Sequence, residues 1–188
     1  MDFFSQPLYW APALAVLLVL LVWLSAQLVF WGNRSRIKAF APLIGGTVVN
    51  HWGRASISGM WRGKQVEIAY GSFANPHQLK ITIRQMFPLC LGVCFKNGGT
   101  TPWPAHLKKK ITINLPDFEK KYTLRGDDSA SVRAFLNEKK QKIIDSLMFD
   151  SLRFDREGLI YLDFLNSEQD GKPEKAQALL ARLGELTF

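Results

Sequence analysis

At 188 residues the chain has room for one ordinary domain plus an appendage, and two full domains would be crowded. Hydrophobic residues make up 47%, a normal share, but they are unevenly placed: Leu8 to Trp31 holds almost no polar side chain. The net charge of +8 is uneven too, with 15 Lys and Arg against 3 Asp and Glu from Arg34 to Arg125, and 9 against 12 from Gly126 to Phe188. Two cysteines are too few for a disulfide framework. If both lie on one strand, four residues separate Cys90 from Cys94 by about 13 Å, beyond the ~7 Å a disulfide spans. Both are expected as reduced thiols.

In chain order, the first element is uncharged from Ala11 to Phe30. As a helix it would span about 30 Å, the thickness of a bilayer core. Tyr9 and Trp10 flank one end and Phe30 and Trp31 the other, as aromatic rings do at membrane interfaces. A cleaved signal peptide fits less well, because the first ten residues carry no Lys or Arg. Arg34, Arg36 and Lys38 follow the segment, and the positive-inside rule then puts the N-terminus outside and the rest in the cytoplasm. Gln27 is expected to reach the interface or to hydrogen-bond a neighbouring helix. The domain division that follows is 1–33 as anchor, 34–46 as juxtamembrane connection and 47–188 as the cytoplasmic domain.

Beyond Gly46 the pattern alternates. Thr47 to Trp52, Ala55 to Trp61, Lys64 to Gly71, Leu79 to Arg84, Leu89 to Phe95 and Ile111 to Leu115 are expected as strands. Arg62-Gly63 is expected to turn the chain between two of them, and Lys96 to Pro104 is the longest loop. The second half is more helical: Asp127, Asp128 and Ser129 offer cap oxygens ahead of Val132, Phe135 and Leu136, and Ile143, Ile144, Leu147 and Met148 share a face. Leu152 to Phe154 and Leu159 to Phe164 predict a hairpin. Pro173 opens a last helix with a stripe of Ala176, Leu179, Leu180 and Leu183. Strands followed by helices, without regular βαβ alternation, predict an α+β domain: one N-terminal transmembrane helix, then a mainly antiparallel sheet with two to three helices packed on it.

Two stretches carry a resemblance. Gly59-Met60-Trp61-Arg62-Gly63-Lys64-Gln65-Val66-Glu67-Ile68, then Asp117 to Asp128 and Val132 to Leu136, resemble small bacterial single-pass membrane-anchored proteins of unknown function with a cytoplasmic α+β domain. In that family the later stretch would be an aspartate-phenylalanine strand, a turn and a capped helix. The resemblance implies one compact domain and a bacterial origin, and it supplies no catalytic residue.

No constellation with catalytic spacing stands out. Cys90 and Cys94 with His77 and His106 have zinc-ligand types but lack a tight Cys-x-x-Cys knuckle, so a buried strand explains the cysteines better. Gly59 to Lys64 is one residue short of a phosphate loop, and Gln65 stands where Ser or Thr would hold magnesium. Asp127-Asp128 is better explained as a cap than as paired catalytic carboxylates. Lys108, Lys109, Lys110, Lys120, Lys121, Lys139, Lys140 and Lys142 form a solvated face first, a lipid or acidic-protein contact second and a nucleic-acid surface last. Trp103, between Pro102 and Pro104, either presents a ring to a partner or folds back on the core.

The chain is thus expected to be a non-enzymatic accessory or assembly subunit of a larger inner-membrane protein complex. It would need no cofactor, catalytic residue or metal. Its membrane-interface residues would be Tyr9, Trp10, Phe30, Trp31, Arg34, Arg36 and Lys38, and its partner or lipid contacts Gln27, Trp103, Lys108, Lys109 and Lys110. The alternatives are a peripheral sensor or binding module for anionic lipid headgroups and, last, an enzyme with an unrecognised site.

Overall fold

A computed structural model describes residues 10–51, 54–71, 78–96, 103–107, 109–126, 128–163 and 172–187, with the side chains at 26, 29, 30, 33, 50 and 51 outside the description. Helix α1 runs Trp10–Lys38 and a short α2 follows at Ala41–Ile44. The strands are β1 Val49–His51, β2 Arg54–Trp61, β3 Lys64–Tyr70, β4 Leu79–Ile83, β5 Leu91–Phe95, β6 Tyr122–Gly126, β7 Ser151–Phe154 and β8 Leu159–Asp163. Helices α3 Pro116–Lys121, α4 Ser129–Phe135 and α5 Glu138–Asp145 lie between strands, and α6 Pro173–Leu186 closes the chain.

Among the described residues the strands form one sheet in the order β1-β2-β3-β4-β8-β7-β5-β6, and every pairing is antiparallel. Arg62 (φ 48°) and Gly63 (φ 79°) make the two-residue turn that joins β2 to β3, with Trp61 opposite Lys64. This is the backbone a primed hairpin turn requires. It also disposes of a phosphate loop at Gly59 to Lys64, since the segment is strand, turn and strand with no helix behind it. The β7–β8 turn is held by Asp155, whose carboxylate accepts from the Glu157 and Gly158 amides at 2.8 and 3.2 Å.

One face of the sheet carries the core. Ile57, Val66, Ile68, Ile81, Ile83, Leu91, Val93, Leu124, Leu152, Phe154, Leu159 and Tyr161 belong to a single buried cluster, which Val132, Ile144, Leu179, Leu180 and Leu183 complete from the helices. The expected stripe on α6 is therefore its buried face. The end of α1, the two residues after it and α2 join the same cluster through Ile37, Ala39, Phe40 and Ile44, α1 packing on β2 and β3 and α2 on β2. Residues 34–46, expected as a connection, thus supply core. The joint is close: a Cβ at Gly59 would sit 2.0 Å from the Gly45 carbonyl oxygen and 2.2 Å from that of Ile44, so only glycine lets the backbones cross there.

Several expectations are corrected. Among the described residues no helix is long and apolar enough to cross a membrane. The expected transmembrane helix, the single-pass anchoring and the inner-membrane localisation, with its outside N-terminus and cytoplasmic domain, lose their support with it. Orientation goes too, because the positive-inside rule needs a span to act on.

Locally, Ile111 to Leu115 is not a strand. Lys110 bridges to Arg125 and the Ile111 amide bonds the Leu124 carbonyl at 3.1 Å, but Asn114 at φ 58° then turns the chain away. The aspartate-phenylalanine segment is helix α3: Pro116 starts it, Asp117 and Glu119 lie in its first turn, and Lys120 and Lys121 in its last, the arrangement that suits a helix dipole.

Candidate interaction surface

Two surfaces stand out among the described residues, and the first is the outward length of α1. Every described side chain from Trp10 to Ser25 is exposed, and the Leu and Val residues of this stretch that face outward range from 49% exposure at Leu20 to 69% at Val19. Soluble monomers rarely leave more than about 300–600 Å² of contiguous apolar surface uncovered. A helix apolar on all sides is one that is normally covered on all sides.

At the other end of α1 the expected interface residues separate. Arg34 and Lys38 are exposed, as are Trp10 and Trp31. Arg36 instead turns inward: its guanidinium donates to the Tyr70 hydroxyl and lies 5.1 Å from that ring's centroid. Tyr9 and the Phe30 side chain lie outside the described residues, and Gln27 is half-buried.

The second surface is on the sheet face opposite the core. Gly92 on β5 is flanked in register by Arg125 on β6 and Arg153 on β7. Trp103 lies against Gly92, where a Cβ would come within 2.3 Å of the indole ring. The two guanidinium carbons stand 5.5 and 5.4 Å from the Trp103 ring centroid, within cation–π range. Trp103 thus folds back onto the sheet, though onto its outer face, and remains half-buried. The following turn, Ala105–Leu107, buries Leu107 and brings His106 to 3.7 Å from Asp155. Lys109 and Lys110 are exposed on the same connection, and Lys108 lies outside the described residues.

Proton affinities follow these surroundings. Burial lowers that of Arg153, partly opposed by the Asp155 carboxylate. Burial raises that of the Cys94 thiol against the pull of Arg125 and Lys110. Asp128 is held below the usual carboxylate range, first by the Ser131 hydroxyl and then by the Ala130 amide, because it caps α4. Burial also lowers that of Lys64, whose ammonium donates to the Thr187 hydroxyl at 2.7 Å and carbonyl at 3.2 Å, tying the end of α6 to the β2–β3 hairpin. Asp127 and His77 are outside the described residues, and among the described residues no three His, Cys, Asp or Glu gather as metal ligands.

No protein-family model matches the chain, and no curated protein does. Among solved structures it is similar to the mycobacterial trehalose monomycolate transport factor A, with 10% identity over 79% of this chain and 78% of that one and a TM-score of 0.49.

Proposed function

We propose that this chain is a non-enzymatic accessory or assembly subunit of a larger protein complex, which it joins through α1. The observation that carries this reading is the run of exposed apolar side chains from Trp10 to Leu24 on a helix whose far end is locked into the domain core. A groove on a single partner would cover one side of such a helix. A larger assembly, on this reading an integral membrane protein complex, supplies cover on several sides. The shift of Asp128 is explained by capping and that of Lys64 by burial where it ties the end of α6 to the β2–β3 hairpin, which suits an accessory role better than a catalytic one. A lipid-headgroup module has less support, because Arg36, one of the three cations at the end of α1, is committed to Tyr70.

Purification in mild detergent from cells holding the chain at its native level tests this. The chain is expected to travel with a larger assembly and to be lost from it when Leu17 and Leu21 are both changed to Gln. Recovery of free monomer alone would overturn the reading.

A further inference from the structure

We infer that the half of the outer sheet face formed by β2, β3 and β4 is a docking surface for an acidic segment of a partner protein, independent of what covers α1. Val66, Ile68, Ile81 and Ile83 belong to the core, so Glu67 on β3 and Lys80, Thr82 and Arg84 on β4 lie on the opposite face, with Ser58 of β2 in register beside Glu67. Arg54, at the start of β2, reaches the same carboxylate. Three cations thus meet one acid.

Both arginines converge on Glu67. Arg54 Nη2 stands 3.5 Å from Oε1 and Arg84 Nη2 3.8 Å from Oε2, so each guanidinium takes a different oxygen at the long end of ion-pair range. A guanidinium has five N–H donors, and one distant oxygen leaves most of them for another acceptor. The side chains of Arg54 and Arg84 are 41 and 49% exposed, and Lys80 has no hydrogen-bond or ion-pair partner among the described residues. Residues 52–53 and 72–77, which adjoin these strands in the chain, hold no Asp or Glu. The helix layer is closer to balance: α3 to α6 carry eight basic and six acidic residues, and Lys120, Lys121 and Lys139 pair with Asp117, Asp145 and Glu185.

The central position of Glu67 selects the occupant. On an extended segment, acidic side chains two residues apart stand about 7 Å apart on one face, which gives each arginine a carboxylate and leaves a neutral residue over Glu67. A nucleic-acid strand repeats its charge throughout and would set phosphate against Glu67 as well, a like-charge contact that costs affinity.

The test is fluorescence anisotropy of the full chain in detergent with a labelled peptide of alternating Glu and Ser, set against the same peptide with Gln for Glu and against an oligodeoxythymidylate. Saturable binding of the acidic peptide is expected, weakening as salt is raised, with none of the Gln peptide. Arg54→Gln combined with Arg84→Gln should weaken it at least about fivefold. Arg133→Gln combined with Lys142→Gln, at exposed positions of α4 and α5, removes the same net charge and should change it less than about twofold. Glu67→Gln should tighten binding about twofold, a gain that a folding defect cannot mimic and that decides the matter if the arginine variant does not fold. The inference is overturned by no saturable binding, by equal losses in the two double variants, by Glu67→Gln that fails to tighten binding, or by an oligonucleotide that binds more tightly than the peptide. The α1 reading is tested separately, by co-purification.

Discussion

At one end of α1, Leu18, Val19 and Val22 stand 61, 69 and 67% exposed; at the other, Ile37 is fully buried against the sheet. The residue types are alike, and what differs is where their cover comes from. Ile37, Phe40 and Ile44 find it in β2 and β3 of the same chain. The outward leucines and valines find none within the described residues. Hydropathy alone registers both ends equally and cannot tell self-cover from borrowed cover.

The comparison can be broken by substitution at matched positions. Ile37→Ala should cost about 3 kcal/mol of domain stability, as buried large-to-small changes do, while Leu18→Ala should stay within about 0.5 kcal/mol. Urea unfolding of the full chain in detergent measures both, and equal losses would erase the distinction between the two ends. A second contrast sets the two faces of the sheet against each other. Gly92→Ala places a methyl group where the Trp103 ring rests; about 1–2 kcal/mol should be lost through overpacking, with a change in near-ultraviolet dichroism as the indole leaves its seat. An unchanged spectrum would mean that the outer face does not hold the ring as described.

The smallest expected effect sharpens the comparison by leaving both regions alone. Asp128 is exposed at the start of α4, and its proton affinity is lowered in the folded state. A depressed carboxylate contributes stability that is fully present above its unfolded value, about 3.9, and is lost as pH falls through the folded value. Asp128→Asn keeps a capping acceptor but removes the charge. The stability difference between wild type and variant should therefore narrow between pH 6 and pH 3 in thermal unfolding. Parallel curves over that range would refute the capping account of the shift.

What the sequence made legible was local. Arg62-Gly63 marked its hairpin, the alternation from Leu152 marked another, seen as far as Asp163 with Phe164 outside the described residues, and the Ala176, Leu179, Leu180 and Leu183 stripe marked α6, because each signal depends on residues a few positions apart. The placement of β8 and β7 between β4 and β5 was not legible, since it depends on pairing between distant segments. Alternation misled at Ile111 to Leu115, where the positive φ of Asn114 and the proline that opens α3 outweigh it. Hydropathy also led to a transmembrane anchor that the described residues do not sustain. Trp103 is the instructive case at the candidate surface. Its place depends on a glycine eleven positions earlier and on two arginines from other strands, none of which its own neighbourhood in sequence reveals.

The crossing of Gly45 over Gly59 bears on how force and orientation would pass through the molecule. With Ile37 in the core and the backbones in contact, α1 meets the sheet as a shaft meets a keyed hub rather than through a swivel. Whatever grips the outward part of α1 then sets the heading of the whole sheet. Adding a single residue to the shaft ahead of Ile37 would rotate the domain about 100° and shift it about 1.5 Å relative to that grip.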